Sequence, residues 1–130
     1  MAVIGRLSIE QATQEITNNF KKLNNKILDM GSEVVDTFKN IITMCETHDL
    51  EIAKNIITND QMINDIEISI NVDGYLLIAR QCPVASDLRR IITALKISND
   101  LERIADYAVN IAKYMIKTKH DNSVVVESII

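Results

Sequence analysis

From Ile9 to Cys45 the apolar residues recur at steps of three and four without a break: Ile9, Ala12, Ile16, Phe20, Leu23, Ile27, Met30, Val34, Phe38, Ile41 and Cys45. That period describes one extended amphipathic helix with a narrow seam, close to a coiled-coil repeat. A helix of this length exposes its seam along its whole edge, so the rest of the chain must cover it. Ser8, with Gln11 three residues on, reads as a capping box that starts the helix. Gly31 is its weak point and a candidate bend. The stretch Glu46-Thr47-His48-Asp49 breaks the pattern, and Asp49 is placed to cap a second helix.

Two further runs complete the chain. The second carries Leu50, Ala53, Ile56, Ile57, Ile63, Ile66, Ile70, Leu77 and Ile78, with a soft patch at Ile70-Asn71-Val72-Asp73-Gly74. Pro83 forces Cys82 out of the helical region and suits the first turn of a third helix. That helix is expected to bury Leu88, Ile91, Leu95, Ile97, Leu101, Ala105, Ala108, Ala112 and Met115, its inward alanines permitting a close approach by another helix. After Lys119 the pattern is lost. The reading is therefore all-α: an antiparallel three-helix bundle of long helices over residues 1–119, with a C-terminal tail at 120–130. Only 3 Gly, 1 Pro and 4% aromatic residues fit long helices better than a turn-rich sheet fold.

A formal charge of -4 and a pI near 5.1 leave no electrostatic footprint for nucleic acid. No apolar run approaches the roughly 18 residues that span a bilayer, and Met1–Glu10 has no signal-peptide pattern. Cys45 and Cys82 lack metal or redox spacing and read as reduced, core-edge residues. On these features the chain is expected to be cytoplasmic.

Catalytic motifs are missing from the sequence. There is no glycine-rich phosphate loop, no nucleophile elbow, no Cys/His zinc spacing and no inward Glu-x-x-His pair. His48 falls in the first connection and His120 beyond the third run, so the chain reads as a non-enzyme. The chemistry that is present is carried by oxygen. Glu102, Asp106 and Asn110 stand four residues apart on one helical face, at the edge of the apolar seam. Asp60, Asn64 and Glu67 form a second ridge that an antiparallel bundle can bring opposite. Carboxylates on adjacent rigid helices, without sulfur or imidazole, suit hard cations such as Mg²⁺, Mn²⁺ or Fe³⁺. The simpler alternative is a solvated ridge neutralised by Arg103 or Lys113. Arg89-Arg90 is open in the same way: it can grip a phosphate or a partner's carboxylate, or serve as surface charge beside Asp87 in a helix's first turn.

Gln81-Cys82-Pro83-Val84-Ala85-Ser86-Asp87-Leu88-Arg89, then Ala94-Leu95-Lys96-Ile97, Asp100-Leu101-Glu102-Arg103-Ile104-Ala105-Asp106 and Asn110-Ile111-Ala112-Lys113 resemble the PhoU family. Asp60-Gln61-Met62-Ile63-Asn64-Asp65-Ile66-Glu67 resembles that family's second-helix pattern. The likeness spans roughly Ile9 to Thr118, departing at Ala105, where a glycine is usual, and at Cys82. It implies a three-helix bundle and a negative regulator of phosphate uptake and phosphate-starvation signalling. Its implied partners are a phosphate-transporter ATPase subunit and a sensor histidine kinase. The family's Glu/Asp-x-x-x-Asp motif, carried over by position, implies Glu102 and Asp106 as ligands of a metal ion or cluster (Fe, Mg, Mn or Zn). Asp60 would join them across the bundle, with Asn110 and Asn64 as secondary ligands. Family members usually carry two bundles in tandem, and a homodimer of this chain would restore that surface. Two other readings are a metal-free helical interaction module and the cytosolic domain of a phosphate transporter.

Overall fold

The computed structural model describes the backbone of residues 2–129 and the side chains of residues 10–119 apart from Ala12. Three long helices make up the described chain: α1 (Ala2–Thr47), α2 (Leu50–Gln81) and α3 (Ala85–Ile129). The links are so short that neighbouring helices must double back on one another. Each helix packs against both others.

The core is two clusters stacked along the bundle. One gathers Leu23, Met30 and Val34 of α1 with Ile63, Ile70 and Leu77 of α2 and Ile91, Ala94 and Ala105 of α3. The other joins Ile41 and Met44 to Ala53, Ile56, Ala108, Val109 and Ala112. Thus the end of α1 meets the start of α2 and the middle of α3, the pairing of an up-down-up bundle.

The buried residues keep a strict alternation of three and four. In α1 the seam runs Leu23, Met30, Thr37, Met44 beside Ile27, Val34, Ile41. Cys45, expected in the seam, is exposed, and Met44 is fully buried in its place. The expected and observed seams part at Thr37, a polar residue beside the more apolar Phe38. Its hydroxyl donates to the Glu33 carbonyl at 2.8 Å, which satisfies the group locally and lets Thr37 take a core position. Ile97 is likewise 42% exposed, and its expected place is filled by Ala94 and Ser98. Ser98 is wholly buried, with its hydroxyl on the Leu95 carbonyl at 2.8 Å. Both cysteines are free and exposed, away from the core edge.

The helix ends follow their residues. His48 has φ 56, its N–H still bonded to the Met44 carbonyl at 2.7 Å, which closes α1. Asp49 caps α2 as expected, accepting from the Glu51 N–H at 2.9 Å. Lys119 donates to the His48 carbonyl at 2.6 Å and so ties α3 to this turn. Cys82, at φ 42, ends α2. Pro83 lies just outside α3 and not in its first turn, because the Val84 carbonyl accepts the first α3 bond, from Leu88 at 2.8 Å.

Three further expectations are revised. Helix α1 begins at Ala2, so Ser8 is inside it; its side chain, like those of Ile9 and Ala12, lies outside the described residues. No proline precedes Ser8, and the helix extends backward through Ala2–Leu7 despite Gly5. The backbone of α3 continues through Ile129, past the loss of apolar period at Lys119; the side chains there lie outside the described residues. The Ile70–Gly74 patch is unbroken helix. Gly74 is buried, and a Cβ there would stand 2.7 Å from Leu95 Cδ2. Asp73 pairs with Lys26 of α1, which also donates to Ser69.

Candidate functional site

The alternation that defines the α2 seam places Ala53, Asp60, Glu67 and Gly74 in one row, seven residues apart. Two carboxylates therefore stand in line with buried Ala53 and Gly74, and both are half-buried. Gly74 against Leu95 fixes the antiparallel register with α3. One heptad along in each direction, Glu67 meets Glu102; one more brings Asp60 to the turn holding Asp106 and Val109.

The electrostatics follow this placement. Desolvation beside α2 is the main cause that pushes Glu102 up to about 7; a hydrogen bond to Asp106 and repulsion from Asp106, Glu67 and Asp60 add to it. In its protonated form the Glu102 carboxyl donates a hydrogen bond to Asp106. Burial also raises Asp60, as does the charge of Asp106, while the Asn64 amide and Lys113 oppose the shift. Glu67 is raised by burial, held back by a hydrogen bond from Asn71, and raised further by Asp106. Asn64 Nδ2 donates to Asp60 Oδ2 at 3.5 Å, but Oδ1 of Asp60 is buried without a hydrogen-bond partner.

The structure therefore brings Asp60, Asn64, Glu102 and Asp106 to one ridge between α2 and α3. Asn110 is exposed farther along α3, with no bond to the ridge among the described residues. Glu67 belongs to the cluster as fully as Asp60, and Asn71 is the partner that sequence reasoning missed. The signal was available, since Asn71 stands four residues after Glu67. Of the two candidate neutralising cations, Lys113 is the one whose charge lowers Asp60.

Four mutually repelling carboxylates and an orphaned carboxylate oxygen are donors of the kind a hard cation takes. Among the described residues, however, no three of His, Cys, Asp or Glu are close enough to hold one ion together. The donor set is of the kind that hard cations take, but the described residues form no closed cage for one ion.

Residues 27–115 match the PhoU domain. The chain belongs to the PhoU family. All four carboxylates fall within the matched segment. Among PhoU relatives, the phosphate-specific transport system accessory protein PhoU homolog 1 of Thermotoga maritima is 41% identical over 90 residues, 68% of this chain and 37% of that protein. The homolog of Clostridium acetobutylicum is 39% identical over 97 residues, 74% of this chain and 44% of its own. The accessory protein PhoU of Serratia marcescens is 32% identical over 93 residues, 72% and 38%. The matched part of the chain covers less than half the length of these PhoU relatives. No helix among the described residues is long and apolar enough to cross a membrane.

Proposed function

We propose that this chain is a cytoplasmic, non-enzymatic adaptor that restrains phosphate uptake, acting on a phosphate transporter's ATPase subunit and its sensor histidine kinase. The observation that carries this reading is the PhoU match over residues 27–115, supported by relatives described as accessory proteins of phosphate-specific transport. On this reading the α2–α3 ridge takes hard cations. Glu102 and Asp106 hold one edge and Asp60 the other, with Asn64 orienting Asp60 and Glu67 completing the negative field. When bound, the cation supplies positive charge that the cluster lacks. The residues' own part is to hold four carboxylates, three of them half-buried, on two rigid helices, so that occupancy changes the charge of one face. A homodimer would present two such ridges.

The test is made in a host that carries the gene. Deleting it is expected to raise phosphate uptake in phosphate-rich medium, and the intact gene to restore restraint. Glu102→Gln with Asp106→Asn should restore it poorly, at unchanged protein level. Uptake unaltered by the deletion contradicts the adaptor reading. Full restoration by the double variant favours the alternative, a helical interaction module that works without metal.

A further inference from the structure

A second surface lies on the side of α3 away from the carboxylate ridge. Between α1 and α3 the helices leave an open groove of about 700 Å³, floored by Phe20, Leu23 and Ala94 and edged by Leu28 and Ile97. It continues past Phe20 and Asn24 toward Thr13 and Ile16. Its edges repeat. Leu28, Val35 and Ile42 stand seven residues apart on α1; Ile97, Ile104 and Ile111 do the same on α3, and all six are exposed. The two helices run parallel, so each α1 residue is matched by an α3 residue at a constant offset, starting from the Leu28–Ile97 pair. Two parallel apolar rows at heptad spacing are what a third amphipathic helix needs for knobs-into-holes packing.

The charges at one end select the kind of helix. Arg89 and Arg90 line the groove, joined by Lys21, against the single carboxylate of Asp87. Neither arginine has an ion-pair partner among the described residues. This cationic end sits on a chain of net charge -4. We infer that the α1–α3 groove seats an acidic amphipathic helix of a partner protein, with apolar residues in the rows and carboxylates on Arg89, Arg90 and Lys21. The inference concerns a different face from the carboxylate ridge and does not depend on the phosphate reading.

The probes are two fluorescent helical peptides of about three heptads, with leucine at the a and d positions; one carries glutamate on its flanks, the other lysine. Anisotropy with the full chain is expected to detect binding of the glutamate peptide, weakened by added salt, and none of the lysine peptide. Arg89→Glu with Arg90→Glu should weaken binding at least about fivefold. Leu28→Asp, at a site 69% exposed and so outside the core, should weaken it about tenfold with an unchanged melting curve. Equal binding of both peptides, or of neither, overturns the inference. So does a dimer in light scattering that Leu28→Asp dissociates, since a second copy then fills the groove. Competition by anionic vesicles would overturn it too, assigning the face to a membrane.

Discussion

Asp60 and Glu67 occupy row positions where an apolar side chain would have stabilised the bundle. Burying a carboxylate costs free energy unless a partner compensates; Asn64 and Lys113 compensate in part at Asp60 and Asn71 at Glu67, yet burial and the charge of Asp106 leave both raised. The consequence is a definite pH dependence. Glu102 titrates at about 7 in the fold and ordinarily at 4.5, so between these values the folded chain holds a proton that the unfolded chain has lost. Stability contributed by that proton is complete below the lower value and gone above the upper one; it falls as pH rises. In metal-free buffer, Glu102→Gln should unfold at a higher temperature than the parent near pH 8, and the advantage should shrink near pH 5. Thermal unfolding of both proteins at the two pH values checks this; an advantage that grows toward acid would contradict it. Asp60 and Glu67 are raised too, so some slope remains in the variant. The i, i+4 spacing made Glu102 and Asp106 legible in the sequence. That Asp60 and Glu67 share a row with Ala53 and Gly74 was harder to see, because polar residues do not register in an apolar count.

At the scale of the element, Gly31 and Gly74 differ in their surroundings. A Cβ added at Gly31 of α1 would have nothing within 4 Å, whereas the same methyl at Gly74 of α2 meets Leu95. Gly31→Ala should therefore stabilise by about 0.5–1 kcal/mol, the helix propensity difference. Gly74→Ala gains the same propensity but must displace Leu95 in a packed core, so its net effect should fall at least about 1 kcal/mol below that of Gly31→Ala. Denaturant midpoints at matched slope measure both, and equal gains would refute the close α2–α3 approach. The inward alanines of α3 had signalled this contact: Ala105, Ala108 and Ala112 are all fully buried. Three helices and the Asp49 cap were legible from period and turn chemistry. The course of the α1 seam near its end was not, nor the α3 seam beside Ile97, because Thr37 and Ser98 bury hydroxyls that their own helices satisfy.

Across the whole molecule, the up-down-up order followed from short links alone, but the register did not. It depends on Gly74 admitting Leu95, a contact between residues that no sequence period relates. Once that contact is set, Glu67 is carried to Glu102 and Asp60 to the turn of Asp106. One side of α3 thus faces concentrated negative charge, and the other borders an apolar groove with a cationic end. The fold thus presents two faces of distinct chemistry on opposite sides of one helix. The central claim is that the acidic face takes hard cations, and equilibrium dialysis of the full chain against Mn²⁺, read by elemental analysis, tests it most directly. Carboxylates must lose their protons to bind, so retention is expected near neutral pH, release near pH 5, and little metal at either pH in Glu102→Gln with Asp106→Asn. No retained manganese, or as much in the double variant as in the parent, would contradict it.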